Sequence, residues 1–253
     1  MAADLRTVEQ FYTKFFTENP SWSTPYPNPN EARRWAKICE CLSEIPQPYL
    51  HGVGQRLRIL DVGCGRGWLT RLASVYGRCD GVDPVSSSIK LAQRYFPDLT
   101  FSVGTAADLL RFPTFEPYDV VIASEVLEHV LDKATFIAEL VKCLVPRGHL
   151  ILTTPRAEEF RKWLRLGYEQ QPIEDWLSER AVRALSERHQ LQAVKHDRVY
   201  LDLPTMSFLH RLCASRRVSE ALRKLGLTGI SKGLQYAAGF YQVWWFRLEA
   251  LPH

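Results

Sequence analysis

The sequence predicts an α/β fold built on a doubly wound, mostly parallel sheet of seven strands. From residue 57 onward, short apolar runs alternate with stretches in which apolar residues recur at helical spacing. Several of the runs end in an acidic or small polar residue, as at Asp61, Asp83, Gly104, Ser124 and Thr154. Such alternation predicts parallel strands covered by helices on both faces, with sites at the carboxyl ends of the strands.

The length and composition are those of a single soluble domain. The chain has 253 residues, of which 46% are hydrophobic and 24% charged, and its net charge is a modest +4. No apolar run approaches the ~20 residues that a membrane-spanning helix needs. The first six residues lack the pattern of a signal peptide, and the six cysteines include no C-x-x-C pair. We therefore expect reduced thiols and a cytoplasmic location.

The first 50 residues predict a helical N-terminal cap. Apolar residues have helical spacing over 4–17 and again over 31–45, and prolines at 20, 25, 27 and 29 break the helix between them. Seven aromatic residues fall within the first 35 positions. They predict either a helix packed on the sheet edge or an aromatic lid whose rings attract a cationic ligand. The two roles are compatible.

The stretch from 58 to 84 predicts a strand–loop–helix–strand unit that holds a nucleoside. A strand over 57–62 leads into glycines at 63, 65 and 67, a helix over 67–76 and a second strand over 78–83. Glycines let the backbone approach a ligand. Asp83 lies 22 residues after Asp61, where a carboxylate can accept hydrogen bonds from both ribose hydroxyls.

The glycine spacing distinguishes between two nucleoside cofactors. A dinucleotide fold requires G-x-G-x-x-G, whereas Gly67 is followed by Trp68 and Leu69 and no glycine occupies the required register. Asp61 precedes the loop, where it would repel a pyrophosphate. A cationic ligand such as S-adenosylmethionine suits these residues better, and a nicotinamide oxidoreductase is disfavoured.

Two segments resemble a known family. Leu60-Asp61-Val62-Gly63-Cys64-Gly65-Arg66-Gly67 resembles the glycine-rich motif of class I, Rossmann-like, S-adenosylmethionine-dependent methyltransferases. Residues 118–130 are similar to the fourth-strand segment of the ubiquinone-biosynthesis O-methyltransferase group. The resemblance covers 59–155 and implies S-adenosyl-L-methionine as cofactor. The cofactor residues that it implies in the first half of the chain are Asp61, Gly63, Cys64, Gly65, Gly67, Asp83 and Pro84.

Two further cofactor contacts are implied with alternatives. Arg34 resembles the arginine that meets the cofactor carboxylate, and a solvated surface arginine is the alternative. After a third strand over 99–103, related enzymes hold the adenine with a Gly-Asp-Ala-Glu-Asp-Leu turn. Here that turn has Thr105, Ala106, Ala107 and Asp108, so the backbone at Ala106 or the acid at Asp108 is expected at the adenine. Alternatively, Asp108 is a helix N-terminal acid favoured by the helix dipole.

The segment after the fourth strand, 118–123, holds the candidate catalytic residue. Ser124 and Glu125 are expected in the cofactor site. Glu125, Glu128 and His129 share one face if a helix begins at Glu125, and a carboxylate would then orient the imidazole. His129 is predicted as the general base for an acceptor hydroxyl, and the alternative is that it only closes a helix turn or hydrogen-bonds the backbone. No partner with ligand spacing accompanies these residues, so no metal is expected.

The rest of the chain completes the sheet and adds an insert. Helices are predicted over 132–145, 156–167 and 179–188, with Ser178 as a cap of the last, and strands over 148–154, 191–201 and 241–248. In the resembled family, the last strand is antiparallel and lies between the fifth and sixth. We predict one domain over 1–253, with a cap over 1–50, a cofactor-binding core over 57–155 and an inserted lid over 205–238.

The insert carries the net positive charge. Residues 205–233 have six Lys or Arg and one Glu, a net charge of +5 against +4 for the whole chain. A solvated helix face, a lid for an acidic acceptor and a weak membrane-surface contact are the three interpretations. No interleaving of basic and aromatic residues suggests a nucleic-acid partner.

The sequence thus predicts a methyltransferase that transfers a methyl group from S-adenosylmethionine to an oxygen of a small-molecule acceptor. The alternatives are an N-methyltransferase acting on a small molecule, protein or RNA, and a methyltransferase-like scaffold without turnover. The intact glycines and Asp83 argue against loss of cofactor binding.

Overall fold

A computed structural model describes residues 5–19, 22–46, 56–165, 171–200 and 239–249, and the single positions 218, 220, 224 and 236. The strands are β1 Leu57–Val62, β2 Gly77–Asp83, β3 Thr100–Val103, β4 Tyr118–Ser124, β5 Leu144–Pro155, β6 Leu191–Val199 and β7 Tyr241–Leu248. The α-helices are α1 Leu5–Glu18, α2 Pro29–Glu44, α3 Trp68–Ala73, α4 Ser86–Tyr95, α5 Ala106–Leu109, α6 Lys133–Lys142, α7 Ala157–Arg165 and α8 Glu179–Arg188. A 3₁₀ turn spans Leu127–His129.

The seven strands form one sheet in the order β3-β2-β1-β4-β5-β7-β6. The strands from β1 to β5 pair in parallel, and β7 is antiparallel to both β5 and β6. The predicted doubly wound, mostly parallel sheet is therefore confirmed, as is the position of the last strand. The chain order reverses at the β1–β4 pair, where Val62 lies opposite Ala123. The loops that follow β1 and β4 consequently flank one crevice at the carboxyl edge.

The apolar residues divide between the two faces of the sheet because side chains alternate along each strand. On one face, Leu60, Val121 and Leu150 pack with Ile137 of α6. On the other face, the buried residues Ile59, Val120, Ile122, Ile151 and Trp245 pack with side chains of α2 and α3. Burial on both faces holds the central strands in place and thus fixes the edge at which the site lies.

The helices α1 and α2 lie within the segment predicted as the N-terminal cap. A capping box starts α2: the Asn28 side chain accepts from the Glu31 backbone N–H, and the Glu31 carboxylate accepts from the Asn28 N–H. Helix α1 contacts the start of α4, where the Ser86 hydroxyl donates to Glu9 at 2.6 Å. The cap is thereby attached beside the carboxyl ends of β1 and β2.

Several element boundaries differ from the prediction, and two of the differences have a local cause in the backbone. Strand β5 begins at Leu144 rather than 148, with an irregular register against β4, because Arg147 takes a left-handed backbone (φ 65) inside the strand. Helix α3 covers only Trp68–Ala73, and Gly67 precedes it as N-cap with φ 83. Both differences involve local turns that interrupt an otherwise correct element.

The predicted insert over 205–238 lies outside the described residues except for positions 218, 220, 224 and 236. The division into a cap over 1–50, a core over 57–155 and this insert stays a prediction. Within the described ranges, five cysteines are free, and no helix has both the length and the apolar character needed to cross a membrane.

Candidate active site

A cavity of about 1180 Å³ opens at the carboxyl edge of the sheet, beneath helix α1. It is lined by the loops after β1, β2, β3 and β4, by α1 and by residues 171–176. Most of the predicted site residues line it, namely Arg34, Asp61, Gly63, Cys64, Gly65, Asp83, Pro84, Thr105, Ala106, Ala107, Ser124, Glu125 and His129. Gly67 and Asp108 do not. The sheet topology therefore brings thirteen of fifteen predicted residues to one cavity.

The glycine loop is shaped by close packing beneath it. Gly63 has φ 73, and a Cβ there would clash with a methyl carbon of Val126. Gly67 has φ 83, and its Cβ would lie 2.8 Å from the Phe101 ring. Both positions therefore require glycine. Gly67 is the N-cap of α3 and does not face the cavity. The Cys64 side chain packs in the core cluster that contains Phe101.

Asp83 is held so that its carboxylate faces the cavity. Its Oδ2 accepts the Gly65 N–H at 2.9 Å and its Oδ1 accepts the Val85 N–H at 2.8 Å. Burial raises the pKa of this carboxyl to about 6. Each carboxylate oxygen has a second lone pair, so Asp83 can accept two further hydrogen bonds. That is what a pair of ribose hydroxyls would supply.

Asp61 carries an unpartnered oxygen in the cavity wall. Its Oδ2 accepts the Thr70 hydroxyl at 2.7 Å, and its buried Oδ1 has no hydrogen-bond partner. Burial, with a further contribution from Asp83, raises the pKa of Asp61 to about 7. An unsatisfied buried acceptor is costly, and a cationic group beside it would relieve that cost. The residues present therefore fit the ammonium end of S-adenosylmethionine.

Arg34 is buried, so the alternative of a solvated surface arginine is wrong. Its guanidinium lies 4.6 Å from the centre of the Tyr241 ring, and its Nη1 lies 4.0 Å from Glu125 Oε2. The Arg34 Nε atom is buried without a hydrogen-bond partner. A buried guanidinium with an unused N–H beside the cavity suits a carboxylate ligand.

Arg66 is a buried residue of the glycine loop that sequence reasoning missed. Its guanidinium donates to both oxygens of Glu31, at 2.8 and 2.6 Å, and also to the backbone oxygens of Thr24 and Tyr26. It also lies over the Trp22 ring, 5.5 Å from its centre. Arg66 therefore attaches the start of α2 and the segment before it to the loop.

The geometry of the turn after β3 shows whether Asp108 faces the adenine region or caps a helix. Asp108 Oδ2 accepts the backbone N–H and the hydroxyl of Thr105, at 2.9 and 2.8 Å, in a capping box at the start of α5. Those hydrogen bonds lower the pKa of Asp108, with a smaller contribution from Arg111. Its side chain does not line the cavity, whereas Ala106 and Ala107 do. The geometry favours the backbone of this turn at the adenine, and Asp108 as the helix-capping acid.

No helix begins at Glu125, so the condition under which Glu125, Glu128 and His129 would share one helix face is not met. Glu125 has a left-handed backbone (φ 61), and only the 3₁₀ turn Leu127–His129 follows. Glu128 is nevertheless buried and Glu125 half-buried in the cavity wall, where the Thr153 hydroxyl donates to Glu125 and the Thr154 hydroxyl to Glu128, each at 2.9 Å. Burial raises the pKa of Glu125 to about 8 and that of Glu128 to about 7.

Ser124 belongs to the same hydrogen-bonded group at the end of β4. Its hydroxyl and that of Thr153 are 2.8 Å apart, and Thr153 in turn meets Glu125. Ser124 thus lines the cavity while it connects the ends of β4 and β5.

His129 is oriented by a backbone carbonyl and not by a carboxylate. Its Nδ1 lies 2.7 Å from the Ile173 oxygen, and its Nε2 lies 3.8 Å from Glu128 Oε1, beyond hydrogen-bonding distance. Burial lowers the pKa of His129, although the Ile173 oxygen opposes this effect. A carbonyl oxygen only accepts, so Nδ1 donates and the neutral ring leaves a lone pair on Nε2. That arrangement is competent for a general base.

The aromatic side chains of α1 form a wall of the cavity. The rings of Phe15 and Trp22 are 4.8 Å apart, and the Tyr12 ring meets the His129 ring edge-on at 6.3 Å. The Tyr12 hydroxyl donates to Gln171 Oε1 at 2.8 Å. Helix α1 therefore contributes apolar surface directly beside the candidate base, in keeping with the predicted lid.

No group of three or more His, Cys, Asp or Glu side chains is placed to hold a metal ion in the parts of the chain that the structure describes.

Comparison with known proteins identifies the family. Residues 25–196, more than half of the chain, match a family model described as "Methyltransferase domain". The human mitochondrial ubiquinone biosynthesis O-methyltransferase is 40% identical over 106 residues, which cover 39% of this chain and 28% of that protein. The enzyme of the same name from Azorhizobium caulinodans is 38% identical over 103 residues, covering 39% of this chain and 40% of its own length. The aligned segment thus spans less than half of these relatives.

Solved structures extend the similarity of fold to nearly the whole chain. The N-methyltransferase NodS from Bradyrhizobium japonicum, in complex with S-adenosyl-L-homocysteine, has a TM-score of 0.63 at 20% identity, covering 96% of this chain and 98% of its own. The magnesium protoporphyrin IX methyltransferase from Synechocystis has a TM-score of 0.62 at 15% identity, covering 97% and 100%. With the family model, the sheet order and the nucleoside-type loop, these findings show that the chain belongs to the methyltransferase-domain family, as a class I, S-adenosylmethionine-dependent member.

Proposed function

We propose that the protein transfers a methyl group to an oxygen atom of a small, largely apolar acceptor, with His129 as general base. The observation that carries this proposal is the free Nε2 of His129 in the same cavity as Asp83 and the glycine loop. The ubiquinone-biosynthesis relatives are O-methyltransferases, which supports oxygen as the acceptor atom. The aromatic wall of α1 supports an apolar acceptor.

The chain supplies binding groups for each end of the cofactor. Asp83 would accept hydrogen bonds from the ribose hydroxyls, Asp61 Oδ1 would accept from the ammonium, and Arg34 Nε would donate to the carboxylate. The backbone of Ala106 and Ala107 would lie against the adenine. When bound, S-adenosylmethionine supplies a methyl group on a sulfonium, which is already activated for displacement.

The protein's own contribution to the chemistry is orientation and proton removal. Holding the acceptor in line is worth effective molarities of up to ~10⁵ M or more. His129 Nε2 takes the hydroxyl proton as the acceptor oxygen forms its bond to the methyl carbon, which contributes roughly 10²–10⁴-fold. The cofactor would supply the leaving group, since the electron pair of its carbon–sulfur bond would stay on the sulfur.

Two measurements test the proposal. Calorimetry is expected to find binding of S-adenosylhomocysteine and none of NAD. Incubation with ¹³C-methyl-labelled S-adenosylmethionine and fractionated metabolites is expected to yield a product whose methyl carbon has the chemical shift of a methoxy group. A methyl carbon bonded to nitrogen would identify an N-methyltransferase, and binding without any labelled product would identify a silent scaffold.

The location and the insert carry proposals of their own. A cytoplasmic, reducing location is supported by the five free cysteines among the described residues, whereas several relatives are named as mitochondrial. Cell fractionation distinguishes the two compartments. A weak membrane contact through the cationic residues 205–233 predicts co-sedimentation with anionic vesicles that salt abolishes.

A further inference from the structure

The segment 171–176 is docked against the turn that carries His129. The backbone N–H of Asp175 donates to the backbone oxygen of Glu128 at 2.9 Å, and the backbone oxygen of Ile173 accepts from His129 Nδ1 at 2.7 Å. Trp176, which follows, is 7% exposed and packs its ring against those of Phe160 and Phe240. The segment is therefore fixed at its far end by the core and at its middle by the turn.

Glu174 closes this segment on itself. Its Oε2 accepts the backbone N–H of Gln171 at 3.1 Å, and its Oε1 accepts the indole N–H of Trp176 at 3.0 Å. One carboxylate thus joins the two ends of the segment, with Ile173 between them. The carbonyl of Ile173 is presented to the imidazole because the segment is folded in this way.

The tautomer of His129 decides whether it can take a proton. With hydrogen on Nδ1, the Nε2 atom has a lone pair. With hydrogen on Nε2, the atom that lines the cavity is a donor, and a neutral imidazole in that form cannot accept the acceptor's proton there. Because Glu128 Oε1 lies 3.8 Å from Nε2, a ring released from Ile173 has an acceptor nearby that favours the unproductive tautomer.

We propose that Glu174 is a positioning residue for His129: it folds the segment 171–176 so that the Ile173 carbonyl holds the imidazole in the Nδ1–H tautomer with Nε2 open. This rests on the proposed function in so far as His129 is the base. Lys133 links the segment to the residues after the 3₁₀ turn, since its Nζ lies 2.9 Å from Asp175 Oδ2 and donates to the backbone oxygen of Val130 at 3.0 Å.

The direct test is the tautomer itself, read by long-range ¹H–¹⁵N NMR on protein labelled at histidine, above the pH at which His129 titrates. The His129 signals are assigned by their loss in His129→Gln. In the wild type we expect the Nδ1–H form. In Glu174→Gln, the side chain can accept only one of the two hydrogen bonds that Glu174 accepts. We therefore expect a mixture of tautomers in which the Nε2–H form is populated. We also expect kcat to fall about tenfold, which is part of the full effect of a general base.

The control is Glu116→Gln, which removes a surface carboxylate that pairs with Arg58 at 2.9 Å and is 74% exposed. It should leave the tautomer and kcat unchanged. If Glu174→Gln does not fold, Trp176→Phe removes the indole N–H that Glu174 Oε1 accepts, and a smaller shift in the same direction is expected. An Nε2–H wild type, or a wild-type tautomer unchanged in a folded Glu174 or Trp176 variant, would overturn the proposal.

The failure of this inference is distinguishable from that of the proposed function. The tautomer is measured without any acceptor and decides the role of Glu174. The turnover of His129→Gln decides whether the histidine is a base at all.

Discussion

The Arg66 guanidinium forms a two-pronged ion pair with Glu31 in the protein interior, with N–O distances of 2.8 and 2.6 Å. Both side chains are almost fully buried, at 1% and 2% exposure. Glu31 also completes the capping box of α2. One residue pair therefore attaches the N-terminal cap to the loop that is expected to hold the cofactor.

Arg66→Met is expected to destabilise the protein strongly. It keeps the aliphatic stem but leaves Glu31 buried without its partner, which costs about 3–5 kcal/mol in comparable cases. The free energy of unfolding in urea measures the effect. Arg71→Met is the matched control, since it breaks an exposed pair with Asp98 at 2.7 Å that is worth less than about 1 kcal/mol. Equal losses in the two variants would contradict the role given to Arg66.

Asp83→Asn is expected to weaken cofactor binding. The amide keeps the shape of the side chain but replaces one acceptor oxygen by a donor, so one ribose bond and one backbone bond are lost. Charge-assisted hydrogen bonds are worth about 1.5–3 kcal/mol each, so we expect at least a tenfold rise in the Kd for S-adenosylhomocysteine by calorimetry. Asp80→Asn, on the same strand but away from the cavity, is the control. An unchanged Kd in a folded Asp83 variant would remove Asp83 from the site.

Asp61 predicts how binding and stability depend on pH. Its pKa is raised from 3.8 to about 7, chiefly by burial, so the folded protein holds a proton that the unfolded chain releases. This contribution to stability is complete at low pH and is lost as the pH rises through about 7. Because a cationic group favours the ionised carboxylate, affinity for S-adenosylhomocysteine should rise between pH 6 and 8.

Calorimetry in buffers of different ionisation enthalpy should also detect proton release on binding. Asp61→Asn should flatten the pH dependence of the Kd. A wild-type affinity that falls over the same range would contradict the assignment of Asp61 to the ammonium.

Asp108→Asn separates capping from adenine recognition. If Asp108 only caps α5, the substitution costs stability of about 0.5–2 kcal/mol, and the Kd for the cofactor changes little. The unfolding free energy and the Kd are measured on the same preparation. A large loss of cofactor affinity with little loss of stability would show that Asp108 contacts the adenine.

The sheet could be predicted from the sequence because each strand is specified by residues within or next to it. The period of the apolar residues and the acids and glycines at strand ends determine each element. The order of parallel strands then brings residues such as Asp61, Asp83 and Glu125 to one edge. The early start of β5 near Arg147 and the turn at Glu125 could not be predicted, because they depend on left-handed backbones at residues that rarely adopt them.

The contacts that sequence reasoning missed join distant segments. Arg66 meets Glu31 across 35 positions, and His129 meets the Ile173 carbonyl across 44. Every residue has a backbone carbonyl, so the residue types do not indicate that Ile173 is the partner of His129. The capping box at Thr105 and Asp108 did have a signal, since a threonine followed three positions later by an acid is typical of a helix start.

Metal independence can be tested directly at Glu125, Glu128 and His129, although no such group among the described residues is placed to hold a metal ion. We expect turnover to be unchanged by EDTA. A loss that added Mg²⁺ or Zn²⁺ restores would assign these side chains to a metal instead of to proton transfer.

The turnover of His129→Gln tests the central claim most directly, once an acceptor that takes up the labelled methyl group is in hand. Glutamine keeps a polar side chain but cannot take the proton. We predict that kcat falls at least ~100-fold, while the Kd for S-adenosylhomocysteine stays within about threefold of the wild type. A kcat within a few-fold of the wild type would contradict the account and leave His129 a structural role.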